Sequence, residues 1–399
     1  MMLIFVAGTL LFGAFAVFLP VMCNEFGWTR TAVAGALSVG VLSFGLPSPL
    51  FGVLIGKYGP RSNIILGNLL GAVGVAGMYF VQEIWHVYLL YVLIGVGGGF
   101  GGYIAGTTVI SNWFIKKRSL ALGMFLACGG LGGLVFPPVI TALIDSIGWR
   151  STWLVLAGIF VVVVLVGGVF LVRNRPEDMG LMPDGEPTDA FSHEVDAGAE
   201  QETARTGWLK QTVSAPVTWF VIVFVLAGAF TTGTVTTHQI AYLQDIGFTA
   251  MTAATVASVL AMFNTFGSLT MGALGLRYNI RYLTCSAFVF QIIGLIVLLT
   301  TRTIPVIYIY AACLGIGWGS IMTALPMFIS TNFPRERYAQ VMGIVFPFQV
   351  LAQAASAVVA GMVYDATGEY RIAFTILLGL GIIGFFSALM ARQRKPSGS

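Results

Sequence analysis

The sequence predicts an all-α protein embedded in a lipid bilayer, with twelve membrane-spanning helices in two six-helix pseudo-repeats. Three observations lead there. Hydrophobic residues make up 57% of the chain and charged residues only 9%. Soluble domains carry about 25% charged residues, so a fold this apolar needs lipid as its solvent. Apolar segments of about 18 residues or more recur, each long enough to cross the hydrocarbon layer. Finally, a set of residues returns at a constant offset of 220 positions.

The apolar segments run over about 2–20, 31–56, 63–82, 87–110, 119–144, 151–172, 216–240, 250–275, 282–301, 304–330, 339–364 and 371–391. In lipid each backbone amide must bond within its own segment, so each segment is a helix. The 50 glycines would weaken soluble helices but are tolerated in membrane helices, where they let neighbours approach closely. The first segment has no charged leader and no small-residue cleavage site, so it reads as a span and not a signal peptide.

Charge sets the expected orientation. With the N-terminus in the cytoplasm, sixteen of the twenty Lys and Arg residues fall in cytoplasmic loops or the C-terminal tail. Arg30, Arg150, Arg302 and Arg371 fall outside. Cytoplasmic loops carry the Lys/Arg excess, which places both termini in the cytoplasm. The net charge of +4 does not indicate nucleic acid, because the basic residues form short clusters between apolar runs. Cys23, Cys128, Cys285 and Cys313 are widely spaced, with no CxxC pair, so neither a disulfide framework nor a zinc site is expected.

The echo divides the chain. "GVLIGKYGPR" (52–61) returns as "GALGLRYNIR" (272–281), matching Gly52 with Gly272, Lys57 with Arg277, Tyr58 with Tyr278 and Arg61 with Arg281. Gly123 returns as Gly343, Asp145 as Asp365, Gly148 as Gly368, Glu25 as Asp245 and Gly27 as Gly247. The expected organisation is a six-helix bundle over 1–173, a cytoplasmic linker over 174–215 and a second bundle over 216–399. Nine of the sixteen acidic residues lie in the polar insert, about 174–214. Parallel six-helix repeats suit a rocking carrier with its site between the halves, near the membrane midplane.

The loop motif "GVLIGKYGPR" resembles the loop between the second and third spans of the major facilitator superfamily. "NWFIKKRSLALG" (112–123), "GGLGGLVFPP" (129–138), "GWR" (148–150), "RPEDMGLMPDG" (175–185) and "YDATGEYRIAF" (364–374) resemble bacterial monocarboxylate transporter relatives. The resemblance implies alternating access, a cavity lined by spans 1, 4, 7 and 10, and a small organic anion moved with a proton. It also implies a monomeric, multi-pass protein of a bacterial inner membrane, without a cofactor. The chain departs from this family pattern in the eighth span. Where proton-coupled relatives place an aspartate and an arginine four residues apart, it has Asn264 and Ser268. Losing both avoids burying one charge alone and points to a less charged solute or weaker proton coupling. The acidic residue of the loop motif is also missing, with Gly56 in its place and Leu276 at the echo.

"GGGFGG" (97–102) fits a dinucleotide fingerprint, but no strand precedes it and it lies inside an apolar span, so close helix packing is the expected role. No nucleophile–base cluster is visible, so an enzyme is not expected. The candidate solute-binding residues are Tyr103, Thr107, His238, Asn264, Ser268, Trp318, Thr323, Gln349 and Gln353. Tyr103 and Thr323 are one repeat apart and should face each other across the pseudo-axis. Each of these residues also has a plainer reading, as helix packing or, for His238, as an interfacial histidine. Only histidine titrates near neutral pH unperturbed, which makes His238 the candidate proton group. The candidate gate residues are Gly52, Lys57, Arg61, Arg118, Gly272, Arg277, Arg281 and Arg337, either setting orientation or latching the inner ends through helix carbonyls or acids such as Glu336. Uniport of a neutral or amphipathic solute, and a transport-dead solute sensor, are the alternatives to carboxylate symport.

Overall fold

A computed structural model describes residues 15, 17–185, 214, 216–300 and 303–391. The start of the first span, most of the polar insert (186–213, with Arg205 and Lys210), Arg302 and the basic tail (Arg392, Arg394, Lys395) lie outside the described residues.

The described chain is helical nearly throughout. The successive helices are α1 (Val17–Phe26), α2 (Arg30–Gly45 continued by Ser48–Tyr58), α3 (Pro60–Phe80), α4 (Ile84–Trp113), α5 (Arg118–Ile147) and α6 (Trp149–Leu171). After the insert come α7 (Pro216–Asp245), α8 (Ala250–Leu274), α9 (Ile280–Thr300), α10 (Ile304–Asn332), α11 (Tyr338–Thr367) and α12 (Tyr370–Met390). Among the described residues nine helices are long and apolar enough to cross a membrane, or ten with the bent α2 taken as one span. The bend of 43° falls at Leu46–Pro47. Pro47 has no amide hydrogen, so the helical ladder is interrupted there.

Two signals on the 220-residue grid start and stop these helices. Thr29 and Thr249 cap α2 and α8, each side-chain oxygen accepting the amide three residues on, at 3.3 and 3.2 Å. Gly27 and Gly247, and Gly148 and Gly368, turn the chain between spans with positive φ (68°, 102°, 80° and 74°), a region glycine enters without steric penalty.

The repeat extends to packing. A Cβ on Gly99 in α4 would strike the Phe44 carbonyl of α2, and one on Gly319 in α10 would strike the Asn264 carbonyl of α8. The "GGGFGG" run is therefore largely a packing surface: Gly97 meets Gly67 and Gly71 of α3, Gly101 meets Gly67 and Asn68, and Gly102 faces open space. Between the halves the echo pairs crosswise. Gly343 of α11 lies against Gly52 and Ser48 of α2, and Gly123 of α5 against Gly272 and Ser268 of α8. Gly52 and Gly272 thus lie at two of the contacts between the first six helices and the last six. Exposed apolar side chains such as Phe80, Leu171 and Met251 lie on the outside of the bundle, as lipid requires.

Candidate functional site

α4 presents its polar residues to the other half through an irregular stretch. Gly99–Tyr103 form a π-helical turn, a form often found at functional sites. Beyond it Tyr103, Thr107 and Ser111 recur every four residues, along one face. The Tyr103 ring stacks on Phe346 of α11 with centroids 4.9 Å apart. Tyr338, the first residue of α11, is fully buried beside Thr107 and Ser111. The hydroxyls of Tyr103, Ser111 and Tyr338 are all buried; that of Tyr338 lies against the hydroxyls of Thr107 and Ser111, and that of Tyr103 reaches no hydrogen-bond partner. Thr107 donates to the Tyr103 and Ile104 carbonyls of its own helix. An unpaired buried hydroxyl costs about 1–3 kcal/mol. Together the hydroxyls of Tyr103, Ser111 and Tyr338 form a buried, under-bonded polar cluster between α4 and α11.

The other candidates fall around this interface or away from it. Gln349 of α11 is buried, its amide against Met322 Sδ at 3.1 Å. Gln353 is half-buried one turn further along α11. Thr323 is fully buried, and its hydroxyl donates to Gly319 O in its own helix. It makes no hydrogen bond to Tyr103. Trp318 packs against the core of the last six helices. Ser268 donates to Gly319 O at 3.1 Å, joining α8 to α10, and Asn264 supplies the carbonyl that receives Gly319. His238 of α7 donates through Nε2 to Ala357 O at 2.9 Å, which leaves Nδ1 to accept from the Tyr370 hydroxyl at 3.3 Å. Tyr370 in turn borders a cavity of about 410 Å³ with Tyr242, Asp245, Tyr364, Glu369 and Arg371, at the end of the bundle away from most basic loops.

At the basic end the halves are tied by side chains. Arg118 donates to Phe114 O at 2.8 Å and, across the interface, to Ser330 O at 2.6 Å. Ser48 donates to Gly343 O at 3.2 Å. Arg335 binds Asn112 O at the end of α4 and the Glu177 carboxylate at 3.3 Å. The carboxylate on this latch is Glu177 and the arginine Arg335, while Arg337 donates to Gln340 Oε1 of α11. Arg61 stays within the first six helices, on Gly168 O, Val169 O and, through its amide, Asn174. Lys57 and Arg277 are exposed, Lys57 over the Tyr58 ring, and Arg281 lies over Tyr282. Residues 174–185, expected as plain linker, form a strap. The Asp184 carboxylate accepts the amides of Ile115, Lys116 and Lys117. Burial pushes this carboxyl up, but the three amides and Lys116 pull it further down, below the ordinary aspartate range. Between strap, gate and helix ends lies a cavity of about 360 Å³, lined by Thr108, Asn112, Asn174, Arg175 and Arg335.

Ser111, Tyr338, Glu177 and Asp184 were not among the sequence candidates, whereas the sequence already offers the basic cluster Arg335–Arg337 as a latch on helix carbonyls. The four-residue spacing from Tyr103 could have found Ser111, and the repeat sets Tyr338 at the position of Arg118.

The model of the Major Facilitator Superfamily matches residues 1–357. The chain belongs to the major facilitator superfamily. As a member it is a transporter of a small solute and not an enzyme. Monocarboxylate transporter 12 of Rattus norvegicus is 24% identical over 362 residues, 86% of this chain and 74% of that protein. Monocarboxylate transporter 13 of Rattus norvegicus is 24% identical over 423 residues, covering 98% and 90%. Among solved structures of the superfamily, the E. coli fucose:proton symporter FucP aligns with a TM-score of 0.71 at 15% identity, over 98% of each chain. The proton:xylose symporter XylE, bound to 6-bromo-6-deoxy-D-glucose, aligns at 0.69 and 13% identity, over 96% and 94%. The twelve-helix arrangement described above is therefore the major facilitator fold.

Proposed function

We propose that this protein carries a small organic acid of the monocarboxylate type across a bacterial inner membrane by alternating access. Residues 1–173 and 216–399 rock about the α4/α11 pocket, and 174–215 connect them. One observation carries the reading: the buried, under-bonded hydroxyls of Tyr103, Ser111 and Tyr338 cluster between helices of different halves. A bound carboxylate or hydroxy acid satisfies them, and the Arg118 guanidinium near Tyr338 supplies a fixed cation. The positive-inside bias puts the tied end in the cytoplasm, so this conformation is shut inward. The named likeness to monocarboxylate transporters supports the substrate class.

Coupling does not run through α8. Asn264 cannot titrate, and Ser268 is held on Gly319 O. Any proton dependence passes through His238, or the acid brings its own proton. The same pair favours a second reading, uniport of a neutral or amphipathic solute. Uptake of labelled short-chain acids and their amides by purified protein in liposomes, with and without a protonophore, decides among these. Saturable acid uptake that Tyr103→Phe weakens is expected. Saturable uptake of the amides alone selects the neutral uniport, and folded protein that binds without moving solute is a sensor.

A further inference from the structure

We propose that a crevice between α4, α5 and α6 at the basic end binds an anionic phospholipid, headgroup on Lys117 and Arg173 and acyl chain against the helices. The crevice encloses about 460 Å³. Its walls are apolar, with Val109, Trp113, Leu120 and Met124 prominent, and the charged residues lining it, Lys117 and Arg173, are both cations. Asp184, the nearby carboxylate, is taken up by the backbone amides of residues 115–117. The wall is preformed, because the Trp113 indole donates to Arg173 O at 3.0 Å. Leu171 at the rim is 71% exposed, and Met124 is 42% exposed, so the crevice opens sideways into hydrocarbon and not into water.

This combination selects its occupant. A soluble anion would be held by the two cations but would leave the apolar walls empty. A zwitterionic lipid would fill the walls but brings no net negative charge to the cations. An anionic lipid meets both, as basic pockets between membrane helices do. The crevice is built from the first six helices alone and contains none of the under-bonded hydroxyls, so it is separate from the solute pocket. It adjoins the gate: Lys117 precedes Arg118, whose guanidinium reaches Ser330 O.

The test uses the full chain in vesicles containing brominated phosphatidylglycerol or brominated phosphatidylcholine, which quench nearby tryptophans. Subtracting Trp113→Phe from the wild type isolates the Trp113 signal. Brominated phosphatidylglycerol should quench it at a mole fraction about fivefold or more lower than phosphatidylcholine does, as one or two surface cations imply. Lys117→Gln should lose most of that preference, and Lys117→Gln with Arg173→Gln all of it. Lys117→Gln alters only an exposed side chain, so the test does not depend on the double variant folding. Equal quenching by the two lipids would reduce the crevice to ordinary lipid contact and overturn the proposal. So would a preference unchanged in both variants. If inorganic phosphate stabilises the detergent-purified protein through Lys117 as well as phosphatidylglycerol does, the ligand is a soluble anion and the lipid assignment fails.

Discussion

Tyr338 begins α11 in full burial, with only the Thr107 and Ser111 hydroxyls of the other half beside its own. A side chain of this kind is costly to the resting protein and useful only to a visitor. Tyr103→Phe should therefore leave Tm unchanged or raise it, because its hydroxyl has no bond to lose, and Tyr338→Phe should change Tm little. Each should weaken apparent solute affinity about five- to tenfold, the worth of one hydrogen bond. A thermal melt beside a KM measurement separates the effects, and a fall in Tm with KM unchanged would make the hydroxyls structural. Thr323→Val is the contrast: its hydroxyl already serves Gly319 O, so solute affinity should change little. At His238 both ring nitrogens have partners, Nε2 on Ala357 O and Nδ1 on the Tyr370 hydroxyl. If protons enter through this ring, His238→Gln should abolish the protonophore sensitivity of uptake while folding is kept. Sensitivity that survives in the variant would leave the acid carrying its own proton.

For the helices, the two contacts Gly99 with Phe44 and Gly319 with Asn264 make a matched pair. Gly319→Ala forces a methyl into a carbonyl and should cost about 1–3 kcal/mol, read as a lower melting temperature; Gly99→Ala should do the same in the other half. The same crowding bears on α8. Restoring the family pair, Asn264→Asp with Ser268→Arg, would place an arginine where Ser268 is 2% exposed between α8 and α10. The double variant should be recovered poorly folded, without a gain in carboxylate transport. The strap gives a pH prediction. Because the Asp184 carboxyl sits below its ordinary range, its contact is present above the unfolded pKa of about 3.9 and is lost as pH falls through the lower folded value. Hydrogen exchange at the amides of residues 115–117 should stay slow at pH 5, and Asp184→Asn should speed it at every pH.

Much of this was readable in the chain. The offset of 220 residues anticipated the paired spans, and "GVLIGKYGPR" and its echo marked Gly52 and Gly272, which lie at the contacts between halves. What stayed hidden depends on distant partners. Nothing local shows that Asp184, in a polar stretch, will cap a loop 67 residues away, or that Arg335 and not Arg337 will meet Asn112. The π turn at Gly99–Tyr103 was invisible because its glycines carry no periodic signal. The bend at Leu46–Pro47 was announced by its proline, yet the apolar run continued through it.

At the scale of the molecule, the ties between halves gather at the basic end. Arg335→Gln removes one latch and should shift the resting population toward the opposite opening. A cysteine at Thr108, which lines the cavity beneath the latch, should then react faster with a soluble maleimide. An unchanged rate would mean that the Arg118–Ser330 bond and the glycine contacts hold the gate without Arg335. Orientation has its own check: Ser192→Cys, in the polar insert, should resist an impermeant reagent added to intact cells. The chemistry of these ties also bears on how the sequence can drift. Arg118, Arg335 and Ser48 donate from side chains, and they bond the backbone carbonyls of Ser330, Asn112 and Gly343. Every residue type carries a carbonyl, so an acceptor survives replacement of its own side chain, whereas a donor does not. A saturation scan should find Arg118 and Arg335 intolerant and Ser330→Ala nearly neutral. The acceptor half of the two arginine clasps is thus free to vary over generations while the closure is inherited intact, whereas Gly343 is held by its close approach to Ser48 and Gly52.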